Sequence, residues 1–335
     1  MHPPVGEGTS QTTVLITGAS GFVGGYLRNA LLDDGLDVVS LTRAGSPAPI
    51  RGRARAVDYA DPESLERVVA EERPDVIYHV AGVTKGVTLE DFRRGNVMPT
   101  ENLLAATERA HPGLSRFVHI SSLTAYGPSD PDAPVEEHHE RRPVEHYGQS
   151  KLEAELAVEA VGDRLPWTII RPPAVYGPGD VDNFELFRLA ERRLNVFYGN
   201  RDSIFSSIHV DDLAAGIRKA AASEQSIGRG YFLCDGRPTT WGDFQARILE
   251  ACGKRALTLY LPQLSLDISA FFGELMTRLD GKPRLFNRQK ATMGKQSAWT
   301  CRSERARKDF DYAPRVQLEQ GIAETLGWYR ENGWL

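Results

Sequence analysis

Residues Thr13 to Leu27 read TVLITGASGFVGGYL. Val14, Leu15, Ile16 and Thr17 suit a buried parallel strand, and Gly18, Gly21 and Gly24 follow at three-residue spacing. An apolar helical pattern (Phe22, Val23, Tyr26, Leu27, Ala30, Leu31) begins at once. Strand, glycine turn and helix in this order form a dinucleotide site. Gly18 permits a tight turn, Gly21 lets the backbone approach a pyrophosphate, and Gly24 lets the helix pack closely on the strand. The unpaired N–H groups at the helix start then face the anion, helped by the helix dipole.

A chain of 335 residues can bury a large core in one big domain with a smaller one beside it. Its 41% hydrophobic and 25% charged content is ordinary for a soluble globular protein. The net charge of −5 leaves no basic footprint for nucleic acid. No apolar run reaches the roughly 18 residues of a membrane span. The first eleven residues hold no apolar signal core and read as a polar tail. Cys234, Cys252 and Cys301 are widely spaced and suggest neither a disulfide framework nor a zinc site, which fits a reducing cytoplasm.

Gly35 ends the first helix, and LDVVSLTR (Leu36 to Arg43) makes a second buried strand. An acidic residue after that strand would bind the ribose 2′-hydroxyl of NAD, whereas an Arg would accommodate the 2′-phosphate of NADP. Thr42 and Arg43 stand at its end and Asp37 at its beginning, so NADP is favoured, with NAD as the alternative. Arg43 could instead be a solvated loop residue, one of several with Arg51, Arg53 and Arg55. Asp61 is placed to cap a helix running to about Glu72, and PDVIYHVAG is a further strand ending in Ala81 and Gly82. Asp58 is either an acceptor for the adenine amino group or a turn residue. His79 and His119 fall inside strands, where hydrogen-bonded structural histidines are expected and no metal set forms. From Glu90 one long helical pattern leads to the strand RFVHISS. This alternation predicts an α/β fold, a Rossmann-type doubly wound parallel sheet. The polar loop Ser129 to His146 is long enough to be a lid or substrate wall, and its neighbouring Glu136, Glu137, His138 and His139 are not expected to converge on a metal.

Two segments carry the chemistry, HISSLTAYG (His119 to Gly127) and HYGQSKLEAELAVEA (His146 to Ala160). Tyr147 and Lys151 are four apart and project from one helix face. A phenol with an ordinary pKa near 10 becomes a usable acid/base if a cation within about 4–6 Å lowers it by roughly 1–3 units. Ser121 and Ser122 sit where a parallel strand delivers its carboxyl end to the ligand crevice.

TGASGFVG, SSLTAYG, YGQSK, RPPAVYGPG (Arg171 to Gly179) and SIHVDDLA (Ser207 to Ala214), in this order, resemble the extended short-chain dehydrogenase/reductases, the NAD(P)-dependent epimerase/dehydratase family. The resemblance implies a catalytic set of Ser122, Tyr147 and Lys151, with Ser121 structural. Hydride would pass between the nicotinamide and a carbinol or carbonyl carbon, with Tyr147 exchanging the oxygen's proton, Ser122 hydrogen-bonding that oxygen and Lys151 lowering the tyrosine pKa while holding the ribose. The residues expected at the dinucleotide are Gly18, Ser20, Gly21, Phe22, Val23 and Gly24, then Arg43, Asp58, Tyr59, Ala81 and Gly82, and finally Asn96, Lys151 and Pro172. Leu123 and Thr124 replace the Asp-Glu pair of the family's 4,6-dehydratases, and Pro173 and Ala174 replace the Phe-Asn of its sugar-nucleotide epimerases. RPPAVYGPGD, WTCRSERARKDF and the ending WYRENGWL look more like the branch of 3β-hydroxysteroid dehydrogenases and dihydroflavonol reductases. An oxidoreductase of a bulky secondary alcohol or ketone is therefore expected. The alternatives are a sugar-nucleotide epimerase or ketosugar reductase, and a cofactor-binding regulator without turnover. The Rossmann domain is expected over residues 12–178, with 205–235 returning to it, and a substrate domain over 179–204 and 236–335. Within the latter, Leu261 to Leu279 would form either an apolar substrate wall or core. Apolar Leu103, Leu104, Leu152, Leu156 and Val158 extend beyond one helical stripe, and family members similarly pair these helices into a homodimer.

Overall fold

The run Thr13–Thr17 forms β1, and α1 (Phe22–Asp33), β2 (Asp37–Arg43), β3 (Arg53–Val57), α2 (Pro62–Glu72) and β4 (Val76–His79) follow it. Then come α3 (Leu89–Phe92), α4 (Met98–Ala110), β5 (Arg116–Ile120), α5 (His146–Glu159) and β6 (Trp167–Arg171). The computed structural model describes residues 11–46, 51–261 and 292–335. The expected apolar wall at Leu261 to Leu279 lies, after its first residue, outside the described residues. The second half adds β7 (Ala174–Tyr176), α6 (Phe184–Glu191), β8 (Leu194–Tyr198), β9 (Ile204–Phe205), β10 (Ser207–His209), α7 (Val210–Ala222) and β11 (Arg229–Phe232). It continues with β12 (Thr239–Thr240), α8 (Trp241–Cys252), β13 (Leu257–Leu261) and β14 (Ala298–Trp299) and, numbering only described helices, closes with α9 (Glu304–Phe310) and α10 (Leu318–Glu331).

Seven strands pair in the order β11-β6-β5-β4-β1-β2-β3, every pair parallel. The expected doubly wound sheet is what the chain forms. Its strand order reverses between β1 and β4, the point where such sheets open a ligand crevice. The register aligns Thr17 with His79 and His79 with His119, so β1, β4 and β5 release their chains at one level of that edge.

Alternate side chains of each strand build two cores. Val14, Ile16 and Tyr78 pack with Leu27, Leu31, Leu213 and Ile217 of α1 and α7. Leu15 and Ile77 pack on the other face with Leu65, Val69, Leu103 and Val158 of α2, α4 and α5. Burying each such side chain contributes about 1.5–3 kcal/mol. A third core joins Tyr176, Phe187, Phe205, Phe244, Ile322 and Tyr329 beyond the carboxyl edge of the sheet's strands, with α6, α8 and α10 around it. Small sheets, β7 with β10, β8 with β13, and β9 between β12 and β14, flank this lobe.

The single helix expected from Glu90 is instead three pieces. A Thr88/Asp91 capping box starts α3, residues 93–97 make a π-helical turn, and α4 restarts with Pro99 in its first turn. Proline has no N–H to continue the preceding ladder, which places the break there.

Candidate active site

The glycine turn is built from missing atoms. Gly18 adopts φ +70°, and a Cβ there would stand 2.7 Å from the Ala81 nitrogen. A Cβ on Gly24 would overlap the Gly18 carbonyl oxygen. Gly21 precedes α1 as its N-cap without any side-chain cap, so the N–H groups of Phe22 and Val23 at this twelve-residue helix's start have no side-chain acceptor. Ser20 is exposed in the same turn. This cradle fits a dinucleotide pyrophosphate, the group whose oxygens such a helix start accepts.

Arg43 ends β2 exposed at the carboxyl edge, while Asp37 sits at the other end, held by Arg53 at 3.0 and 2.5 Å. Arg51, Arg53 and Arg55 each pair with carboxylates of Asp33, Asp37, Glu71 or Glu72. Arg43 makes no ion pair among the described residues. Asp58 folds as an Asx turn, its Oδ1 accepting from the Ala60 N–H at 2.9 Å. Tyr59 donates its hydroxyl to the Leu41 carbonyl at 3.1 Å; burial pushes that hydroxyl up, and the nearby Arg43 charge opposes this.

Beyond β5 the chain turns through 123–125, and Ser122 caps this turn. Its Oγ accepts from the Thr124 N–H at 3.2 Å and the Thr124 hydroxyl at 3.0 Å, which leaves its own O–H to donate. Glu145 caps α5, accepting from Tyr147 N–H at 2.6 Å and from Gly148 N–H. A Cβ on Gly148 would overlap the Thr124 carbonyl, so this glycine lets α5 approach and sets Tyr147 beside Ser122. Lys151 is buried and donates Nζ to the Ile120 carbonyl at 2.7 Å. Burial pushes it down to about 8, with Glu155 opposing. The half-buried Tyr147 is pushed up, first by burial and then by the Glu145 carboxylate, with Ser122 opposing. The expected lowering is thus reversed, because desolvation and the nearby carboxylate push the phenol in the same direction. Lys85 and Asp182 pair at 3.7 Å, and Asp182 lies close enough to add to the upward push on Tyr147.

The π-helical turn aims Asn96 inward. Its Oδ1 accepts from Val83 N–H at 2.7 Å, and Nδ2 donates to Val83 O at 3.1 Å and Ser150 Oγ at 2.8 Å. A Cβ on Gly82 would be 2.8 Å from Asn96 Oδ1 and 3.7 Å from Lys151 Nζ, so Ala81 and Gly82 pass directly over this group. Pro172, at the end of β6, accepts from the Leu123 N–H at 2.9 Å and so ties the β5 and β6 exits together.

The two strand histidines differ. Thr100 Oγ1 donates to the Asn96 carbonyl (2.7 Å) and hence accepts from His79 Nε2 (2.9 Å). His79 Nδ1 then accepts from Thr17 Oγ1 (2.9 Å), which itself accepts from Ala81 N–H (2.9 Å). This chain fixes a neutral tautomer, consistent with burial pushing His79 down to about 3. His119 corrects the expectation of a hydrogen-bonded histidine: it is buried, and neither ring nitrogen has a hydrogen-bond partner among the described residues.

The 128–145 segment is a clamped wall rather than a loose lid. Val135 N–H donates to Thr300 O at 2.9 Å, Arg302 N–H to Val135 O at 3.0 Å and Arg142 N–H to Tyr126 O at 2.9 Å. The helix faces expected to pair in a dimer are also more occupied than their sequence suggests. Leu103, Leu104 and Val158 lie in the chain's own core and Leu152 packs on a separate cluster with Leu123 and Tyr126, which leaves Leu156 exposed at 47%. Sequence reasoning missed Glu145, Gly148 and Glu155, since Glu is outside the usual capping set and the contacts of Gly148 and Glu155 are with residues distant in sequence. A cavity of about 660 Å³ bordered by Arg237, Asp243, Arg307 and Gln317 touches none of the expected site residues. Among the described residues no group of His, Cys, Asp and Glu could hold a metal ion, and no helix is long and apolar enough to cross a membrane.

Comparison with known proteins adds the lineage. The chain is 30% identical to the ceramide reductase of Caulobacter vibrioides over 96% of each chain. It is 32% identical to the 3 beta-hydroxysteroid dehydrogenase/Delta 5→4-isomerase of Mycobacterium tuberculosis over 94% of its own length and 90% of the relative's. Two solved structures share the fold at TM-score 0.79. An epimerase of Methanothermobacter thermautotrophicus is 23% identical over 97% of this chain and 94% of that one. The UDP-glucose 4-epimerase of Thermotoga maritima is 20% identical over 96% and 99%. The sequence profile of the NAD-dependent epimerase/dehydratase family matches residues 14–233. The chain is an NAD(P)-dependent enzyme and belongs to the NAD-dependent epimerase/dehydratase family.

Proposed function

We propose that the protein is an NADP-preferring oxidoreductase acting on the secondary alcohol or ketone of a bulky small molecule. The observation that carries this reading is the meeting of Ser122, Tyr147 and Lys151 at the carboxyl end of β5, at the same sheet edge as the glycine cradle. A bound nicotinamide dinucleotide supplies the hydride. Tyr147 holds its proton at the phenol oxygen, and the protonated form is the one that donates to a carbonyl oxygen in a reduction. Ser122 directs its remaining O–H to that same oxygen and stabilises charge developing there. Lys151, mostly charged at neutral pH, steadies the nicotinamide ribose. Arg43, without a carboxylate partner among the described residues, receives the 2′-phosphate. Relatives named for ceramide, 3 beta-hydroxysteroid and 2-alkyl-3-oxoalkanoate substrates support a bulky alcohol or ketone.

The same reading divides the chain into a dinucleotide lobe, 12–178 with 205–235, and a substrate lobe, 179–204 with 236–335; β11 pairing with β6 in the main sheet, and α7 and Ile208 of β10 packing in the core on that sheet's face, support it. A homodimer through α4 and α5 is supported by Leu156, exposed on α5. Free, buried Cys234, Cys252 and Cys301 support a reducing compartment such as the cytoplasm. The test is to incubate purified protein with NADPH or NADH and a panel of steroid, acyl-chain and sugar-nucleotide ketones. Oxidation of NADPH by a bulky ketone, faster than that of NADH, is expected. Interconversion of a sugar nucleotide without net cofactor oxidation would overturn the reading.

A further inference from the structure

Glu155 is wholly buried on α5, one helical turn beyond Lys151, and the mechanism above does not use it. A buried carboxylate is costly unless paired, and this one is paired from two sides. Arg171, itself buried at the end of β6, donates to it from Nε at 3.0 and 3.2 Å and from Nη2 at 2.9 Å. Arg141, from the 128–145 wall, donates Nη1 to Glu155 at 3.0 Å and grips Glu159 at 2.8 and 2.9 Å. The Arg171 guanidinium also lies 5.0 Å over the Tyr126 ring and 5.8 Å over that of Phe232. One carboxylate therefore joins the helix bearing Tyr147 and Lys151, the strand leading to Pro172, and the wall.

We propose that Glu155 is a positioning residue for Lys151: through Arg171 and Arg141 it fixes α5 against β6 and the wall, and it sets its negative charge one helical turn from the Lys151 ammonium at the Ile120 carbonyl. The proposal rests on reading Lys151 as the cation that holds the dinucleotide. The groups around Lys151 are Tyr147, one turn earlier on its own helix and kept protonated by burial, Glu155, one turn later, His79 and His119 from β4 and β5, both kept neutral by burial, and the backbone at Ile120 and Gly82. Glu155 is the anion among them. It is faced in turn by Arg171, Arg141 and Ser121, the last lying near it without full hydrogen-bond geometry, and Glu159 shares its arginines.

The test titrates the intact protein with NADPH between about pH 6.5 and about pH 9.5, for wild type, Glu155→Gln and Arg141→Gln. Wild-type affinity is expected to fall as pH rises through about 8, where Lys151 loses its proton. Glu155→Gln removes the anion and moves that midpoint down by about one unit. Arg141→Gln removes a cation from beside Glu155, leaves the Arg171 pair, and moves the midpoint up by less. A merely structural role would weaken binding in both variants at every pH and leave the midpoint in place. If Glu155→Gln does not fold, Arg141→Gln decides: an upward move supports the proposal, and an unmoved or lowered midpoint overturns it. Folded variants that bind NADPH with wild-type midpoints overturn the proposal alone. Wild-type protein that binds neither NADPH nor NADH overturns the functional reading and the proposal with it.

Discussion

The glycine cradle and the pocket around Lys151 share one sheet edge and are made of opposite materials. In the cradle, backbone N–H groups are what the chain presents, and the side chains that would obstruct them are absent at Gly18 and Gly24. In the pocket, side chains converge from residues 96, 122, 147 and 151, and polar partners elsewhere in the chain fix two of them: Val83 for Asn96 and Ile120 for Lys151. A site of absent atoms is written within a few consecutive residues. A site of buried polar pairs is written across long separations, because each group must be satisfied from another element.

If the two regions are separable in this way, substitutions should break one and spare the other. Tyr147→Phe is expected to lower turnover by about 10²- to 10⁴-fold, the range for a lost acid/base group, while NADPH affinity stays within about twofold. Steady-state rates and a cofactor titration on the same preparation measure both. Affinity falling in step with turnover would mean that cradle and pocket are one unit.

Gly24→Ala should do the reverse. The new Cβ would press on the Gly18 carbonyl, a backbone atom that can yield only by moving α1 off β1. Overpacking of this kind costs about 1–3 kcal/mol, and NADPH affinity is expected to drop roughly ten- to a hundred-fold. Gly25→Ala is the control, since its Cβ would meet the Ala19 oxygen at an ordinary 3.7 Å, and it should be neutral or stabilise by up to about 1 kcal/mol. Melting curves in which the two variants are indistinguishable would remove the close-approach argument.

The same contrast explains what the sequence made legible. Glycine spacing and the continuous apolar runs of β1 and β4 are local, and they announce the sheet, the turn and the helix after it. The serine, tyrosine and lysine were legible through spacing and family resemblance. Their supports were not. Nothing near Asn96 advertises the π-helical turn that aims it at Val83, and Glu145 belongs to a residue type that rarely caps. Glu155 reads as one more surface acid of a helix until Arg171 and Arg141, 16 and 14 residues away, are seen to close on it.

Acid should expose the pocket's dependence on such partners. His79 titrates near 6.5 when unfolded and is pushed down to about 3 in the fold, and burial pushes His119 well down too. Between these values the unfolded chain binds more protons, so stability is lost as pH falls from about 6.5 towards 3, by about 1.4 kcal/mol per unit for each histidine. His119→Phe removes one of the two and should flatten the stability slope between about pH 6.5 and pH 5 by roughly that amount, measured by urea unfolding. An unchanged slope would mean that His119 is not held neutral.

The smallest expected effect lies at the cradle's rim, where backbone gives way to one side chain. Arg43 is exposed at the end of β2, and among the described residues it lacks the carboxylate partner that Arg51, Arg53 and Arg55 each have. Its planar fork of donors is therefore free for a 2′-phosphate. A charge-assisted contact contributes about 1.5–3 kcal/mol, and solvent screening at an exposed site brings this to the low end, about tenfold in affinity. Arg43→Ala should weaken NADPH about tenfold and leave NADH unchanged, because NADH offers no group to that side chain. Raising the salt concentration should narrow the wild-type difference between the two cofactors and leave the variant's unaffected. If NADPH and NADH bind wild type equally, or the preference survives Arg43→Ala, Arg43 is a solvated loop residue and the rim, unlike the cradle, is not where the cofactor is chosen.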